Sequence, residues 1–452
     1  MGSRESYGQE RGIGLELFYT TTPGIDGRLK VEVEDFVVDE ISKFPEPNDP
    51  GRYTIAKITS VNWEMNRLVR VLGKGLGMSR NRIGFAGTKD KRAVTSQLMS
   101  FEAPLESVQR LDVHQVTIEN AYRSKKHITI GDLIGNRFGI RLRDCRSAGE
   151  ELRGTIEDTA RQLDAIGGFP NFFGVQRFGS LRPVTHIVGR LIIKGELEKA
   201  VLAYVGNPIE AESQEAKEAR RFVQESLDFE AALPLFPRAL TFERMMVGYL
   251  ARNAGDYAGA IGVLPPNLQM MFVHAYQSYI FNRVLCERIR REIALHQPLA
   301  GDVVLPIDKD GLPDHDKHVP VTQANLDLVA RQVKTGRAAI SGPLFGSESV
   351  LAEGVPGEIE RKVLEEEGVE RCDFVVPLLA ECNSRGNRRE IVAWYKDWKL
   401  AVEGRDALVS FALGKGCYAT SLLREFMKVD LIDADRAAYI QAHQEEEEPV
   451  PE

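Results

Sequence analysis

The chain has 452 residues, of which 43% are hydrophobic and 27% are charged. Such a composition is that of an ordinary globular protein, and the length exceeds what one hydrophobic core usually supports. No apolar run approaches the roughly 20 residues that a transmembrane helix needs, and the N-terminus is polar, unlike a signal peptide. We therefore expect a cytoplasmic protein with two domains.

The cysteines argue against two kinds of small stabilised domain. There are five, an odd number, and they are scattered without a Cys-x-x-Cys spacing. They are Cys145, Cys286, Cys372, Cys382 and Cys417. Neither a disulfide framework nor a structural zinc site is expected from this pattern.

Charge is distributed unevenly along the chain. The net charge of -8 counts against a nucleic-acid partner, but it averages over very unlike regions. The first basic stretch contains Arg67, Arg70, Lys74, Arg80, Arg82, Lys89, Lys91 and Arg92, against Asp90. The second contains Arg123, Lys125, Lys126, Arg137, Arg141, Arg143 and Arg146, against Asp132 and Asp144. Either stretch could bind phosphates. On charge alone, two solvated faces remain the alternative.

The N-terminal part predicts strands followed by a helix. Residues 1–28 are polar and glycine-rich, and residues 29–40, which include Lys30, indicate a short strand, a polar step and a second strand. Residues 53–58 alternate like a strand, and Ser60 is a possible cap for the helix that follows. The apolar stripe of that helix comprises Val61, Met65, Leu68, Val69 and Leu72. This leaves Arg67, Arg70 and Lys74 facing outward.

Residues 84–97 hold a carboxylate surrounded by cations. Asp90 lies between Lys89 and the pair Lys91 and Arg92, after a strand-like approach through Ile83 and Phe85. Neighbouring cations favour the charged form of a carboxylate. Such a group can act as a nucleophile or base toward an anionic substrate that the same cations attract. An exposed turn with a surface ion pair is the alternative, and the residues alone leave it open.

Two strands are predicted next, over residues 128–133 and 136–142. Alternation places Asn136, Phe138, Ile140 and Leu142 on one face and Arg137, Arg141 and Arg143 on the other. A buried amide beside an aromatic ring needs a hydrogen-bond partner. An amphipathic helix over residues 152–166 then ends at Gly167 and Gly168.

The remaining chain gives fewer signals. Residues 169–179 are rich in aromatic side chains and indicate a domain boundary, and Phe272, Tyr276 and Ile280 suggest a helix. His315 and His318 form a His-x-x-His in a polar loop without a further ligand, so no metal site is predicted. Residues 407–413 form a strand pattern, followed by a glycine turn and a helix. The tail at residues 441–452 has the composition of disorder.

Five of these runs together resemble the TruD family of tRNA pseudouridine synthases. They are residues 85–97 around Asp90, Lys30 with residues 34–38, residues 135–142, residues 169–179, and residues 416–425 with the spacing Gly-x-x-Ala-Thr-x-x-x-Arg-Glu. The resemblance spans residues 29–426, densely outside residues 169–399 and sparsely within them.

The resemblance implies an α+β pseudouridine synthase fold with a mixed, largely antiparallel central sheet and helices. Residues 1–168 and 400–440 would form the discontinuous catalytic domain, interrupted by a large α/β insertion domain at residues 169–399. The expected activity is isomerisation of uridine to pseudouridine in tRNA, at uridine 13 of the D arm, without a cofactor. No protein partner is implied.

Site roles follow from the same resemblance. Asp90 would be the nucleophile or base, Lys30 its charge partner, Asn136 a positioning hydrogen-bonding group and Phe138 a stacking platform for uracil. The residues expected to contact RNA are Lys89, Lys91, Arg92, Arg67, Arg70, Arg82, Lys125, Lys126 and Arg177. Rival interpretations are a silent RNA-binding protein, which would not need Asp90 with Lys30, and a cofactor-free nuclease, which would usually show a histidine or carboxylate cluster near Asp90.

Overall fold

The computed structural model describes residues 5–434 and 436, which group into two compact units. The first unit comprises Thr22–Phe169 and Ala393–Val429. The second comprises residues 5–21, Pro170–Val392 and the described residues from Asp430 onward. The acidic tail at residues 441–452 lies outside the described residues.

The longest strands lie in the first unit. In chain order they are β1 (Asp26–Arg28), β2 (Phe36–Ser42), β3 (Tyr53–Val61), β4 (Ile83–Phe85), β5 (Val94–Phe101), β6 (Val116–Ser124), β7 (Leu133–Cys145), β8 (Phe169–Pro170), β9 (Val303–Pro306), β10 (Val319–Pro320), β11 (Ala338–Leu344), β12 (Asn387–Glu390), β13 (Val392–Ala393), β14 (Tyr395–Glu403) and β15 (Asp406–Gly414).

The helices are concentrated in the second unit. In chain order they are α1 (Gly8–Arg11), α2 (Met65–Gly75), α3 (Leu105–Gln109), α4 (Gly149–Asp164), α5 (Thr185–Ile193), α6 (Leu197–Val205), α7 (Gln214–Ser226), α8 (Phe229–Ala232), α9 (Thr241–Leu250), α10 (Tyr257–Gly262), α11 (Pro266–Arg290), α12 (Leu326–Lys334), α13 (Gly354–Glu367) and α14 (Ala419–Met427).

One large sheet organises the first unit. Its strand order is β14-β15-β7-β2-β5-β3-β6, with β1 paired to β7 and β4 paired to β5. β2 and β5 run parallel, and the other pairings of this sheet among the described residues are antiparallel. The predicted α+β class with a mixed, largely antiparallel central sheet is confirmed. β2 and β7 lie side by side at the centre, so the segments that precede and follow them can supply one site.

Helix α2 begins later than its sequence pattern suggested. Its N-cap is Glu64, whose carboxylate accepts hydrogen bonds from the backbone N–H groups of Asn66 and Arg67. Ser60 instead lies within β3, and its hydroxyl pairs with that of Thr95 at 3.1 Å. The predicted cap is therefore wrong, because pairing with β5 extends β3 as far as Val61, opposite Val94.

Two predicted strands are also corrected. Residues 128–132 do not form a strand, and Leu133 is the first residue of β7. Asp132 Oδ2 accepts from both the backbone N–H and the hydroxyl of Thr129, which closes a turn. Strand β6 lies before this turn, and β7 is longer than the predicted residues 136–142. Lys30 lies in a bend after β1 and not in a strand.

The second unit packs its helices around α11, and the hydrophobic core there includes Phe272, Tyr276 and Ile280, as the sequence pattern suggested. A four-stranded antiparallel sheet, β10-β9-β11-β12, completes this unit. The aromatic residues Phe172 and Phe178 are buried, and Phe173 packs edge-on against Phe281 at 5.5 Å between ring centroids.

The unit boundaries differ in three places from the predicted domain limits, one of which is that the described residues from Asp430 onward, predicted to belong to the catalytic domain, group with the second unit. The predicted end of the insertion, residue 399, falls inside β14, which pairs along its length with β15 in the first unit. Residues 5–21, predicted to belong to the catalytic domain, group with the second unit.

Within the described residues, no helix is both long enough and apolar enough to cross a membrane.

Candidate active site

Asp90 and Lys30 form an ion pair, although 60 residues separate them along the chain. The Lys30 Nζ atom donates to Asp90 Oδ1 at 2.8 Å. The carboxylate side chain is 38% exposed and the lysine side chain 16% exposed. A half-exposed carboxylate held by one cation can still be approached by a ligand, which a buried one could not.

The bend at Lys30 is fixed by contacts on both sides. Lys30 has a φ of 55°, a left-handed conformation that is uncommon for residues other than glycine and persists where neighbouring contacts impose it. The ammonium lies 4.3 Å from the centroid of the Phe36 ring. In the same bend, the Arg92 guanidinium donates to the Val31 carbonyl at 2.6 Å. The loop carrying Asp90 and the bend carrying Lys30 are thus tied together twice.

Phe138 continues this contact chain into the sheet. Its ring packs edge-on to Phe36, with centroids 6.2 Å apart, and stacks on Phe411 at 5.5 Å. Both partners come from the strands beside β7, since Phe138 is opposite Val38 in β2 and opposite Phe411 in β15. Phe138 is buried, so its immediate role is to support the Phe36 ring beneath Lys30.

Asn136 carries an unsatisfied acceptor. It lies two residues before Phe138 on the same face of β7, opposite Glu40 in β2. Its Oδ1 atom is buried and has no hydrogen-bond partner among the described residues. Leaving a buried polar atom unpaired costs about 1–3 kcal/mol. An atom of this kind is a natural position for a donor that arrives with a ligand.

Lys89 differs from its expected role as a phosphate contact. Its ammonium donates to Glu40 Oε2 at 2.8 Å, and the two side chains are 6% and 1% exposed. Glu40 also accepts from the Ser42 hydroxyl at 2.7 Å. Because the charge of Lys89 is already met by a buried carboxylate, this residue fixes the loop before Asp90 and is not offered to a phosphate.

Most other cations of the first basic stretch are exposed. Arg67, Arg70 and Lys74 are exposed on α2, and within the described structure they form no ion pair with a carboxylate. Lys91 is exposed, whereas Arg92 is partly buried in the bend described above. Arg82 is exposed but pairs with Glu102 at 3.2 Å.

The second basic stretch is largely neutralised. Arg143 donates twice to Asp35, at 2.7 Å each, and these hydrogen bonds raise the pKa of its guanidinium above the ordinary value. Hydrogen bonds to Asp406 and Glu403 likewise raise the pKa of Arg141. Arg137 pairs with Asp397 and Arg146 with Asp26. The expectation that both basic stretches offer phosphate contacts therefore fits the first stretch better than the second.

Lys125 and Lys126 are the exposed lysines of the second stretch, beyond the end of β6. Arg123, just before them, is held by the carbonyls of Gly51 and Ala103 and by the Thr54 hydroxyl. The two lysines thus remain candidates for RNA contacts, and Arg123 serves the fold.

The other singled-out residues lie in the second unit. Arg177 is partly buried there, and its Nε atom donates to the Ser278 hydroxyl at 3.1 Å. His315 pairs with Glu390 at 3.0 Å, and His318 with Asn387 Oδ1 at 3.1 Å. No group of three histidine, cysteine, aspartate or glutamate side chains is placed to hold a metal ion within the described residues.

Three supporting residues were missed at the sequence level. Glu40 holds Lys89, Phe36 lies under Lys30, and Phe411 stacks on Phe138. Strand alternation offered a signal for Glu40, because Phe36, Val38 and Glu40 share the face that meets Phe138 and Asn136. A carboxylate on an apolar strand face needs a cation or a donor. No comparable signal marked Phe411 as a partner of Phe138, since their pairing joins distant parts of the chain.

Comparison with known proteins identifies the family. The model of the family described as tRNA pseudouridine synthase D (TruD) matches residues 12–426. A relative from Methanosarcina acetivorans, named "Probable tRNA pseudouridine synthase D", is 44% identical over 430 residues, which are 93% of this chain and 97% of the relative. A relative of the same name from Halobacterium salinarum is 39% identical, covering 94% of this chain and 98% of its own.

A solved structure agrees. The crystal structure of a candidate tRNA pseudouridine synthase D (TruD) from Methanosarcina mazei matches this chain with a TM-score of 0.84 and 41% identity. The match covers 95% of this chain and 99% of the other. The family-model match, over residues 12–426, includes the motif-bearing segments that contain Lys30, Asp90 and Asn136. The resemblance drawn from the five motifs is confirmed, and the chain belongs to the TruD family of tRNA pseudouridine synthases.

Proposed function

We propose that this protein isomerises uridine 13 in the D arm of tRNA to pseudouridine, with Asp90 as the catalytic carboxylate and without a cofactor. Membership of the family makes it an isomerase of the pseudouridine synthase class. The single observation that carries the assignment of the site is the half-exposed ion pair between Asp90 and Lys30.

The reaction determines what the site must supply. The bond between ribose C1′ and uracil N1 breaks, the base turns, and C1′ joins uracil C5, from which a proton leaves. No hydride, phosphate or methyl group is transferred, so the proposal includes no cofactor. A carboxylate is needed for the first step, whether at C1′, at uracil C6 or at the C2′ proton. The uridine must also leave its stack to reach that carboxylate.

Each neighbouring residue has a task in this scheme. Lys30 orients the Asp90 carboxylate through its 2.8 Å hydrogen bond. The Asn136 Oδ1 atom, unpaired in the structure, accepts a hydrogen bond from the substrate. Phe138 was expected to stack on uracil, but its burial between Phe36 and Phe411 favours a supporting role. Glu40 and Lys89 hold the loop that places Asp90.

Affinity for RNA is assigned to the exposed cations. Arg67, Arg70 and Lys91 lie in the first basic stretch, and Lys125 and Lys126 in the second. Cations that neutralise phosphates release bound counterions, so binding is expected to weaken steeply as salt rises.

The decisive experiment measures tritium release from transcribed tRNA labelled at uracil C5, without added metal or cofactor. Wild type should release tritium, and Asp90→Asn should release none above background while still binding the RNA. A transcript with cytidine in place of uridine 13 should also release none. Equal turnover by Asp90→Asn and wild type would overturn the catalytic assignment, and release from the cytidine transcript would overturn position 13.

A further inference from the structure

A cleft of about 420 Å³ opens beside the catalytic loops in the first unit. It is lined by side chains from the bend after Lys30, the turn after β3, the start of α2 and the turn before β6. They include Glu34, Asn62, Trp63, Arg67, His114 and Gln115. The mechanism above uses none of these side chains except Arg67, which it treats as a phosphate contact.

Trp63 is held as a fixed aromatic surface in this cleft. Its indole Nε1–H donates to the His114 carbonyl at 3.1 Å, which orients the ring. The Arg67 guanidinium lies 5.3 Å from the ring centroid. Unpaired bases stack both on aromatic rings and on guanidinium planes. This pair of side chains therefore offers a stacking surface bearing a positive charge.

The rim of the cleft presents side chains able to hydrogen bond to a base edge. The side chains of Asn62, His114 and Gln115 are exposed and make no hydrogen bond to any of the described residues. Asn62 and Gln115 both have a φ of 58°, a conformation that is uncommon for residues other than glycine and is often retained at binding sites. Glu34, a carboxylate, disfavours a phosphate at its side of the cleft and favours a base bearing N–H donors.

Two hydrogen bonds connect the cleft and its neighbouring residues to the catalytic loops. The Asn62 N–H donates to the Ala93 carbonyl at 3.0 Å, three residues beyond Asp90. Arg92 binds the Val31 carbonyl next to Lys30, two residues before the cleft residue Val33. The residues that line the cleft are therefore hydrogen-bonded to the segment that follows Asp90 and lie a few residues after Lys30 in the sequence.

The surface beyond the cleft continues with positive charge. Arg70 and Lys74 follow Arg67 on α2 at spacings of three and seven residues, and all three are exposed. At about 1.5 Å of rise per residue, this row extends roughly 10 Å from the cleft. A chain leaving the cleft would meet cations suited to its phosphates.

We propose that the Trp63 cleft binds one unpaired nucleobase of the RNA substrate, a nucleotide flanking the target uridine. The base stacks on the surface formed by Trp63 and Arg67, and the free polar groups of Asn62 and Gln115 contact its edge. This inference rests on the proposed function, because it assumes that the RNA reaches Asp90.

The test removes one base at a time. A series of tRNA transcripts, each carrying a single abasic nucleotide near the converted uridine, is assayed with wild type and Trp63→Ala. For wild type, one abasic position should raise KM about tenfold, which lies within the range expected for the loss of one stacked base. Trp63→Ala should raise KM by a similar factor on intact RNA and show no further loss at that position. The kcat at saturating RNA should stay unchanged.

Control variants separate stacking from damage to the turn. Trp63→Phe keeps an aromatic surface and should recover most of the lost affinity, although it lacks the indole N–H. Asn62→Gly preserves the left-handed backbone and removes the amide, and it should raise KM less than Trp63→Ala. If the increase in KM caused by Trp63→Ala and the increase caused by an abasic nucleotide multiply at every position, the two act independently and the proposal is overturned. An unchanged KM for Trp63→Ala would also overturn it.

The same series distinguishes failure of the cleft from failure of the proposed function. Tritium release by wild type at saturating intact RNA judges the isomerase activity by itself. If wild type releases none, the abasic series is measured as filter-binding affinity instead. If the affinity loss from Trp63→Ala then shows no coupling to any single abasic position, base binding in the cleft is refuted, whether or not the isomerase activity is found.

Discussion

Lys89 and Asp90 are consecutive residues whose side chains enter two very different ion pairs. Both pairs have a nitrogen-to-oxygen distance of 2.8 Å. The pair of Asp90 with Lys30 keeps a carboxylate that is 38% exposed, whereas the pair of Lys89 with Glu40 leaves side chains only 6% and 1% exposed. Equal distances thus accompany opposite degrees of burial, and burial decides which pair can meet a substrate.

The difference separates a structural role from a chemical one within a single loop. Removing one partner of a buried pair leaves an unpaired charge in a poorly solvated site, which is strongly destabilising. A half-exposed pair loses less because water replaces the missing partner. The buried pair of Lys89 with Glu40, the inner pair, should therefore govern folding of the loop. The half-exposed pair of Asp90 with Lys30, the outer pair, should govern the reaction. The predictions below are arranged to break or refine this division.

The largest effect is expected for Asp90→Asn. Turnover should fall by at least about a thousandfold, because a carboxylate that starts the reaction cannot be replaced by an amide. The unfolding temperature and the RNA affinity should stay near those of wild type. Parallel measurements of single-turnover rate and thermal unfolding check this. A large drop in unfolding temperature would show that the outer pair is structural too.

Lys89→Met should have the next largest effect, on stability. It leaves the Glu40 carboxylate buried without its cation, which should cost about 3–5 kcal/mol of unfolding free energy. Denaturant unfolding measures the loss. The double variant Lys89→Met with Glu40→Gln should recover part of it, because the buried charge is then gone. If the single variant is as stable as wild type but binds RNA weakly, Lys89 contacts phosphate after all.

Charge reversal on α2 should affect binding alone. Arg70→Glu with Lys74→Glu should raise KM, and it should lower the slope of log affinity against log salt by about one to two, as two phosphate contacts are lost. The kcat should not change. The matched control is Lys396→Glu, an exposed lysine of β14 in the same unit whose ammonium lies over Trp394. The double change on α2 alters the net charge by about four units and Lys396→Glu by about two. Effects that are equal per unit of charge would mean that net charge matters and the α2 row does not.

The smallest functional effect is expected for Arg143→Ala. Arg143 already forms a two-point ion pair with the buried Asp35 carboxylate, so its charge is neutralised within the fold. The variant should lower the unfolding temperature by a few degrees and leave KM and its salt dependence unchanged. A clear rise in KM would show that the second basic stretch exchanges its carboxylate partners for RNA.

The sequence supported the chemistry better than the local geometry. The resemblance led to Asp90 and Lys30 as partners, and the structure brings them together. Neither pattern nor resemblance revealed that the Lys89 side chain is buried, because its partner Glu40 lies 49 residues away in β2. Likewise the hydrophobic runs near Ile128 indicated a strand, but Asp132 closes a turn there through its own side chain.

Other differences arose where pairing between strands overrode local preference. Ser60 is a good helix cap in isolation, yet the ladder with β5 keeps it in β3. Strand β6 escaped notice since several of its residues are polar or charged and it forms the edge of the sheet. Pairing between strands that are distant in the sequence cannot be inferred from local sequence patterns alone.

The close approach of Gly168 to Ala393 affects how such a protein can change through evolution. A side chain on Gly168 would come within 2.1 Å of the Ala393 carbonyl, so the two ends of the interruption in the first unit touch each other. Closing a longer loop between fixed ends costs little extra entropy. Descendants could therefore lengthen, shorten or exchange the intervening segment while the strand register around Asp90 stays the same, and substrate range could diversify without disturbing the catalytic sheet.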